Sequence, residues 1–212
     1  IDKIFVKKIP KIIFYPTGSE LSEMKKIPNW KVRNSNGAYL DAFIKNLPIK
    51  FYTKKTIRDK DINNFKREIK KNIEIKSDLV ITSGAVSAGK FDFIPNVIKQ
   101  FNLKSFFKGV AIRPGKPLLF AKFKNNMCLF GLPGNPISTV ACFRFFVLPL
   151  LFKSLEISNE KPIIAKIKNN FSKKKNFTRF IKGQLTFSNK GSAEFEIFKG
   201  QESYKINPFT KS

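Results

Sequence analysis

Short apolar runs alternate with longer amphipathic segments through the first three quarters of the chain. Runs of strand type occur at 11–15, 51–52, 78–82, 109–112, 118–122 and 127–130. Between them, apolar residues recur with helical spacing in the segments 40–47, 62–73, 94–101 and 136–152. Strands that alternate with helices predict a mostly parallel sheet covered by helices on both faces, which is a three-layer α/β fold.

The pattern changes after residue 160. Apolar and polar residues alternate in the segments 163–167, 177–187 and 193–198, and a turn of small residues lies at 188–191. This alternation predicts a small all-β C-terminal domain over 161–212, which we expect to be cut short. The α/β domain is predicted for 11–155. Residues 1–10 are expected to be a linker from a missing N-terminal part, because the chain begins with isoleucine rather than methionine.

Three of the apolar runs end in loops of small and turn-forming residues, at 16–20, 82–89 and 131–136. The carboxyl ends of parallel strands lie at one edge of a sheet, where ligands bind, and the free N–H groups at a helix start favour anions. Glycines in such loops can also serve only to make tight turns. The repetition of the loop at three strand ends favours an anion-binding crevice.

The charge balance is strongly basic. The chain has 41 Lys and Arg residues against 15 Asp and Glu, a formal net charge of +26. Nucleic acid is the first partner that such a charge suggests. The lysines are scattered singly and in pairs, however, with one short run at 173–175. This distribution favours a solvated basic surface and anionic small molecules over nucleic acid.

Other features of the composition exclude several classes. The chain has no histidine, so Ser-His-Asp triads, histidine metal sites and histidine general bases are excluded. No signal-peptide pattern opens the sequence, and no run of roughly 18 apolar residues is free of charge and proline, so no membrane span is expected. Cys128 and Cys142 both lie in apolar runs and form no CxxC pair, which predicts buried free thiols.

Charged residues near the predicted strand ends are candidates for chemistry. Glu20, Asp59 and Asp92 follow a strand or a glycine loop, where they could hold Mg²⁺ beside a phosphate or could only cap helices. The segment 113–117 (Arg-Pro-Gly-Lys-Pro) holds two cations on a turn stiffened by two prolines, which favours a clamp for a phosphate or another oxyanion.

Four stretches then match a known family in order and spacing: 17–21 (Thr-Gly-Ser-Glu-Leu), 82–92 (Thr-Ser-Gly-Ala-Val-Ser-Ala-Gly-Lys-Phe-Asp), 110–117 (Val-Ala-Ile-Arg-Pro-Gly-Lys-Pro) and 131–138 (Gly-Leu-Pro-Gly-Asn-Pro-Ile-Ser). With them the chain resembles the molybdopterin molybdenumtransferases, the MoeA and gephyrin E-domain family, over about residues 10–155. The first two stretches fit any protein of the molybdopterin-binding fold, whereas the last two select this branch.

The resemblance implies transfer of molybdate into adenylylated molybdopterin with release of AMP, in a molybdopterin-binding-like fold and with the help of Mg²⁺. It implies that the catalytic residues are Glu20, Asp59, Asp92, Arg113 and Lys116, the three acidic ones also binding the metal. It implies that substrate is bound by Thr17, Gly18, Ser83, Gly84, Ser87, Gly89, Pro133, Gly134, Asn135, Pro136 and Ser138. Within this set, Ser87 would meet the pterin phosphate, and Pro133 and Pro136 would shape the molybdate loop.

The resemblance also implies a homodimer of the full-length protein in the cytoplasm, with N-terminal domains that help to build the dimer and cover the site. The sequence departs from the family pattern at Ser19, Ala85 and Gly109. These departures keep open a binding or scaffold module without catalysis. A molybdopterin adenylyltransferase of the same fold is a second alternative, which the segments 113–117 and 131–136 disfavour. A nucleic-acid binder is the weakest alternative.

Overall fold

The computed structural model describes residues 3–4, 6–22, 26–86, 93–172, 175–189 and 191–202. The strands are β1 (Lys11–Pro16), β2 (Leu21–Ser22), β3 (Val32–Arg33), β4 (Lys50–Thr53), β5 (Leu79–Ser83), β6 (Leu103–Lys108), β7 (Ile112–Arg113), β8 (Leu119–Phe123), β9 (Cys128–Leu132), β10 (Lys166–Ile167), β11 (Thr178–Arg179), β12 (Gly183–Phe187) and β13 (Ala193–Ile197). The helices are α1 (Ser35–Ile44), α2 (Ile62–Glu74), α3 (Ile94–Ile98), α4 (Pro136–Cys142) and α5 (Leu148–Leu155), with a π-helical turn, Phe143–Val147, between α4 and α5.

The central sheet has six strands in the order β4-β1-β5-β9-β8-β6. The first four are parallel to one another, and β8 is antiparallel to both of its neighbours. The mostly parallel sheet expected from the sequence is therefore confirmed. The carboxyl ends of β1, β4, β5 and β9 lie together at one edge, which we call the carboxyl edge.

Helices cover both faces of this sheet. Ile13 and Tyr15 of β1 point into one buried cluster, which contains the apolar residues of α2 and α3. Ile12 and Phe14, the alternate residues of the same strand, point into a second cluster with α1, α4 and α5. Because neighbouring residues of one strand are buried in opposite directions, the fold has three layers, as the near-continuous apolar runs predicted.

The helix ends follow the sequence signals in part. Asn34 caps α1, and its side chain accepts a hydrogen bond from the Gly37 N–H, as its residue type indicates. The helix ends at Ile44, one turn earlier than the apolar spacing through Leu47 predicted. Asp61 occupies the N-cap position of α2, without a side-chain capping bond.

The strand prediction was wrong between α3 and β8. A strand was expected at 109–112, but β6 lies just before it, at Leu103–Lys108, and pairs antiparallel with β8. Gly109 has a φ of +84°, so the chain turns there instead of continuing as a strand. The expected hairpin turn between β8 and β9 is confirmed, with Asn126 in the left-handed region at φ +70°.

The long apolar helix is continuous from Pro136 to Leu155 but contains the π turn, which the sequence did not predict. Proline at position 149 was expected to bend the last turn. Pro149 lacks the N–H that would continue the α-helical hydrogen bonds. In the turn before it, the Leu148 N–H donates to the Phe143 carbonyl, five residues back, which is the π-helical pattern. This helix is long and apolar enough to cross a membrane by length and composition, yet half of it is buried inside the fold. Packing in the second cluster accounts for its apolar face.

The C-terminal segment is all-β in the described part, as expected. β12 and β13 form an antiparallel hairpin closed at Ser188 and Gly191, and β10 adds a parallel strand to β13. β11 pairs instead with β7, which belongs to the loop before β8. This pairing attaches the C-terminal segment to the α/β layers beside the carboxyl edge. The boundaries 1–10, 11–155 and 161–212 stay predictions.

Candidate functional site

The three glycine-rich loops come together at the carboxyl edge. The Thr17 N–H and hydroxyl both donate to the Ser83 carbonyl, at 3.0 and 2.8 Å. The Gly84 N–H donates to the Leu132 carbonyl at 2.9 Å, which joins the second loop to the third. Segments that are more than a hundred residues apart along the chain therefore form one continuous surface.

The close approach of these loops depends on glycine at position 84. A Cβ atom built there would lie 2.5 Å from the Thr17 carbonyl oxygen, and the φ of +99° is one that other residues rarely adopt. The next residue, Ala85, also has a positive φ, of +51°. A residue with a side chain thus occupies a backbone conformation that suits glycine, which gives a physical meaning to the sequence departure noted at this position.

Two of the three candidate carboxylates lie at the first loop: Glu20 belongs to it, and Asp59, from the segment between β4 and α2, contacts it. The Asp59 carboxylate accepts a hydrogen bond from the Ser19 N–H at 3.3 Å, and the Ser19 hydroxyl accepts one from the Asp59 N–H at 3.2 Å. The Glu20 carboxylate folds back over Gly18, where a built Cβ would lie 2.4 Å from one carboxylate oxygen. Asp59 does not cap α2, so the capping alternative is wrong for this residue.

Some of the candidate residues cannot be placed. Ser87, Gly89 and Asp92 lie outside the described residues, so their roles stay predictions. Within the described part of the chain, no group of three or more Cys, Asp or Glu side chains is arranged to hold a metal ion. Glu20 and Asp59 supply two carboxylates near each other, and neither takes part in an ion pair recorded among the described residues.

The third loop is held rigidly at the start of α4. Asn135 is the N-cap residue, and its side chain accepts from the Ser138 N–H at 3.3 Å. The Thr139 hydroxyl bonds the Pro133 carbonyl, and the Asn36 side chain donates to the Gly134 carbonyl at 2.9 Å. Pro136 occupies the first helical position, where its missing N–H costs nothing. The loop conformation is therefore fixed before any ligand arrives.

A cleft of about 690 Å³ opens beside this loop, between the carboxyl edge and the C-terminal segment. Its walls are the segment 112–117, Ser138 of α4, Phe177 and Arg179, and the segment 200–202. Arg113, Lys116 and Arg179 bring three positive charges to this cleft, against the single carboxylate of Glu202. We call this space the oxyanion cleft because its positive charge suits oxyanions, and its volume also leaves room for a larger phosphorylated ligand.

Arg179 is the functional candidate that the sequence reasoning missed. It reaches the cleft because β11 pairs with β7, which sets Arg179 opposite Arg113. Its Nε atom is buried without a hydrogen-bond partner among the described residues. The alternation of residues 177–187 indicated a strand, but no local signal shows which distant strand it joins.

The loop that carries Arg113 and Lys116 packs directly on α4. The Cys142 thiol donates to the Gly115 carbonyl with a sulfur–oxygen distance of 3.5 Å, and a Cβ at Gly115 would lie 2.6 Å from that sulfur. Leu119, just after the loop, pairs with Gly131 of β9. The cationic loop therefore lies at the same edge of the sheet as the glycine-rich loops, and Ser138, whose N–H donates to the Asn135 side chain, joins the cleft wall to the third loop.

The thiol beneath this loop gives a testable pH dependence. Burial raises the pKa of Cys142 to about 12 from an ordinary value of 9.0. At pH 8 only ~0.01% of this thiol is then ionised, so we expect Ellman's reagent to label Cys142 only on unfolding. Cys128 is only partly buried, whereas the sequence predicted burial, and it should react first in the native protein.

The same shift predicts an effect on stability. The folded state holds the Cys142 proton more tightly than the unfolded chain does. Its contribution to stability is therefore present below pH 9 and is lost as pH rises towards 12.

In the labelling experiment, a Cys128→Ala variant identifies which cysteine reacts. Fast labelling of Cys142 in the native protein of this variant would show that the loop over α4 opens readily.

Comparison with known proteins gives a consistent result. Residues 14–153 match the family described as "Probable molybdopterin binding domain". The molybdopterin molybdenumtransferase of Staphylococcus aureus (strain N315) is 34% identical over 193 residues, which cover 90% of this chain and 45% of the relative. That of Staphylococcus epidermidis (strain ATCC 12228) is also 34% identical, over 198 residues. The chain spans about half the length of the curated relatives it matches.

Solved structures share the fold. A molybdopterin biosynthesis MoeA protein from Pyrococcus horikoshii OT3 superposes with a TM-score of 0.71 at 22% identity, over 96% of this chain and 47% of that one. The tungsten cofactor synthesizing protein MoaB from Pyrococcus furiosus superposes with a TM-score of 0.51 at 14% identity, over 70% of this chain and 99% of that one. The part shared with the MoeA structure includes the C-terminal β segment that completes the cleft.

Proposed function

The chain belongs to the molybdopterin-binding-domain family of the molybdopterin molybdenumtransferases, with a role in molybdenum cofactor biosynthesis, and we propose that it carries out the step that inserts the metal. In this proposal, molybdate is transferred into adenylylated molybdopterin and AMP is released. The observation that carries the proposal is the oxyanion cleft, in which Arg113, Lys116 and Arg179 converge next to the glycine-rich loops.

The chemistry of the substrates matches this arrangement. Molybdate and the phosphate groups of an adenylylated pterin are oxyanions, so both partners of the reaction need fixed positive groups and N–H donors. The cleft has room for a small oxyanion, and the glycine-rich loops that adjoin it offer a second place for a phosphate. Two anions held side by side repel each other, and fixed cations between them offset that repulsion without reorganising.

The loops at the carboxyl edge would bind the pterin phosphate through Thr17, Gly18, Ser83 and Gly84. The hydroxyl of Ser83 and that of its neighbour Thr82 are buried without a hydrogen-bond partner among the described residues. Buried hydroxyls normally have partners, so two unsatisfied donors at a strand end suit a polar ligand. Ser87 and Gly89 would extend the same surface, and Pro133, Gly134, Asn135, Pro136 and Ser138 would form the molybdate side.

The acidic residues suit Mg²⁺. Carboxylate oxygens next to phosphates are the ligands that this ion prefers, and Glu20 and Asp59 provide two such groups from two adjoining loops. Asp92 would be the third. When bound, Mg²⁺ would supply positive charge that offsets the phosphate oxygens of the adenylyl group. Ser19 and Asp59 would orient each other through their reciprocal hydrogen bonds whether or not the ion is present.

The cationic loop and the third glycine-rich loop favour this reaction over a molybdopterin adenylyltransferase. The oxyanion cleft adds a separate anion site to the phosphate-binding loops, and an enzyme that uses only ATP and molybdopterin has no molybdate to place there. A homodimer in the cytoplasm, with further domains that cover the site, completes the proposal for the full-length protein.

The test is an assay of AMP release by the full-length protein from adenylylated molybdopterin, with Mg²⁺, in the presence and absence of molybdate. We expect release to depend on molybdate and to be strongly reduced by Arg179→Gln. ATP-dependent adenylylation of molybdopterin without any need for molybdate would support the adenylyltransferase instead. Binding without turnover, in a protein that fails to complement a cofactor-deficient host, would support a scaffold module.

A further inference from the structure

An exposed tryptophan lies just before β3, the strand that pairs with β2 after the first glycine-rich loop. Trp30 is the only tryptophan of the chain, and 73% of its surface is exposed. It lies in a turn closed by a hydrogen bond from the Lys31 N–H to the Pro28 carbonyl, at 2.9 Å. The fold does not use this ring in either buried cluster, so its packing does not explain why a large aromatic side chain is here.

The residues that follow Trp30 bond to the first glycine-rich loop of the candidate site. The Lys31 ammonium donates to the Ser19 carbonyl, and the Val32 N–H donates to the Glu20 carbonyl at 2.9 Å. β3, which contains Val32, pairs with β2 directly after Glu20. Since consecutive Cα atoms are about 3.8 Å apart, Trp30 lies within roughly 10 Å of the loop that carries Ser19 and Glu20.

One face of the indole ring is already occupied by a charge. The Lys31 ammonium lies 4.5 Å from the ring centroid, within cation–π range, while its hydrogen bond to Ser19 keeps it there. The large exposed fraction leaves the rest of the ring open to solvent. The Trp30 ring therefore contacts Lys31 on one face, and its exposed surface is available to stack against a second flat ring.

We infer that Trp30 is a binding residue that stacks on a flat heteroaromatic ring of the substrate, next to the phosphate-binding loop. This inference rests on the proposed function, in which the substrate carries two such rings, adenine and pterin, each joined to a phosphate. The phosphate is bound by Thr17, Gly18 and the loop of Ser83 and Gly84, and Trp30 contacts the ring that extends outwards from it. Stacking of this kind tolerates different rings because each presents a π-face.

Fluorescence and calorimetry test the inference directly. We expect AMP with Mg²⁺, or a pterin phosphate with Mg²⁺, to quench the fluorescence of Trp30 excited at a wavelength that tyrosine does not absorb. In calorimetry, Trp30→Ala should lower the affinity for the ligand whose ring stacks on Trp30 by about five- to a hundredfold. This is the range expected when an aromatic stacking partner is lost. Trp30→Phe, which keeps a ring, should recover most of the affinity. If only the affinity for AMP falls, adenine is the ring that stacks on Trp30. If only the affinity for the pterin phosphate falls, the pterin is that ring.

Two controls separate stacking from a structural role. Ribose 5-phosphate has the phosphate but no heteroaromatic ring, so its affinity should be the same in wild type and Trp30→Ala. Phe187→Ala removes an aromatic ring of similar exposure, 63%, from the C-terminal sheet and should leave ring binding unchanged. Equal affinity of wild type and Trp30→Ala for both ring compounds would overturn the inference and leave the proposed function intact. A wild type that binds neither ring compound would overturn both.

Discussion

Replacement of Gly84 by alanine is expected to destabilise the fold by about 3 kcal/mol and to abolish substrate binding. The new Cβ would lie 2.5 Å from the Thr17 carbonyl oxygen, which is backbone and cannot rotate away. A φ of +99° adds a cost of ~1–2 kcal/mol for a residue with a side chain, and overpacking adds ~1–3 kcal/mol. Relief requires the first two loops to separate, which breaks the Thr17–Ser83 hydrogen bonds. Urea denaturation measures the first effect and calorimetry with AMP the second.

Gly191→Ala is the matched control for this prediction. Gly191 also has a positive φ, +76°, but a Cβ there would meet no atom within 4 Å. We therefore expect a loss of only about 1 kcal/mol and unchanged binding, because the C-terminal turn at 188–191 does not adjoin the site. If the two variants lose equal stability, backbone conformation alone explains the effect, and the close contact of the loops is not what positions Gly84.

The arrangement of the glycine-rich loops could be predicted from the sequence because it depends on local signals and one topological rule. Each strand of the parallel core is marked by an apolar run, and each loop by small residues directly after it. Parallel strands then place all such loops at the carboxyl edge, where the Thr17–Ser83 and Gly84–Leu132 contacts are found. The hydrogen-bond distances between the loops were not part of this prediction and come from the structure.

Features that depend on pairing or on irregular backbone could not be predicted in this way. β6 was missed because its residues, Leu103–Lys108, show no alternation of buried and exposed positions at the antiparallel end of the sheet. The π turn has the same apolar composition as the α-helix on both sides of it. Arg179 enters the cleft only because β11 pairs with β7, a contact between segments more than sixty residues apart.

The same distinction holds for the acidic residues. Asp59 had two interpretations from sequence, a helix cap or a site residue, because both place an acidic side chain just before a helix. The structure excludes the cap, because the Asp59 carboxylate accepts a hydrogen bond from the Ser19 N–H instead, and the role of Asp59 at the site stays a prediction. The helix begins at Ile62, with Asp61 as its N-cap. Whether Asp59 caps α2 depends on the position of the first loop in three dimensions, which the sequence does not give.

Replacement of Lys116 by glutamine is expected to weaken the binding of molybdate by about ten- to thirtyfold. Lys116 is exposed to solvent within the oxyanion cleft, so its contribution is that of a charged hydrogen bond partly screened by water, ~1.5–2 kcal/mol. Glutamine is one bond shorter than lysine and keeps a donor but removes the charge, and Pro114 and Pro117 keep the loop rigid. Calorimetric titration with molybdate at two salt concentrations measures the loss, which should be smaller at high salt.

Lys124→Gln makes the same change in net charge at the other end of β8. Lys124 follows Phe123 and lies exposed in the hairpin opposite the carboxyl edge. On a chain with a formal charge of +26, a general attraction of anions would be reduced equally by either substitution. We expect molybdate affinity to change less than twofold in Lys124→Gln. A comparable loss in both variants would mean that molybdate senses the overall field of the protein, and the cleft of Arg113, Lys116 and Arg179 would then not be its binding site.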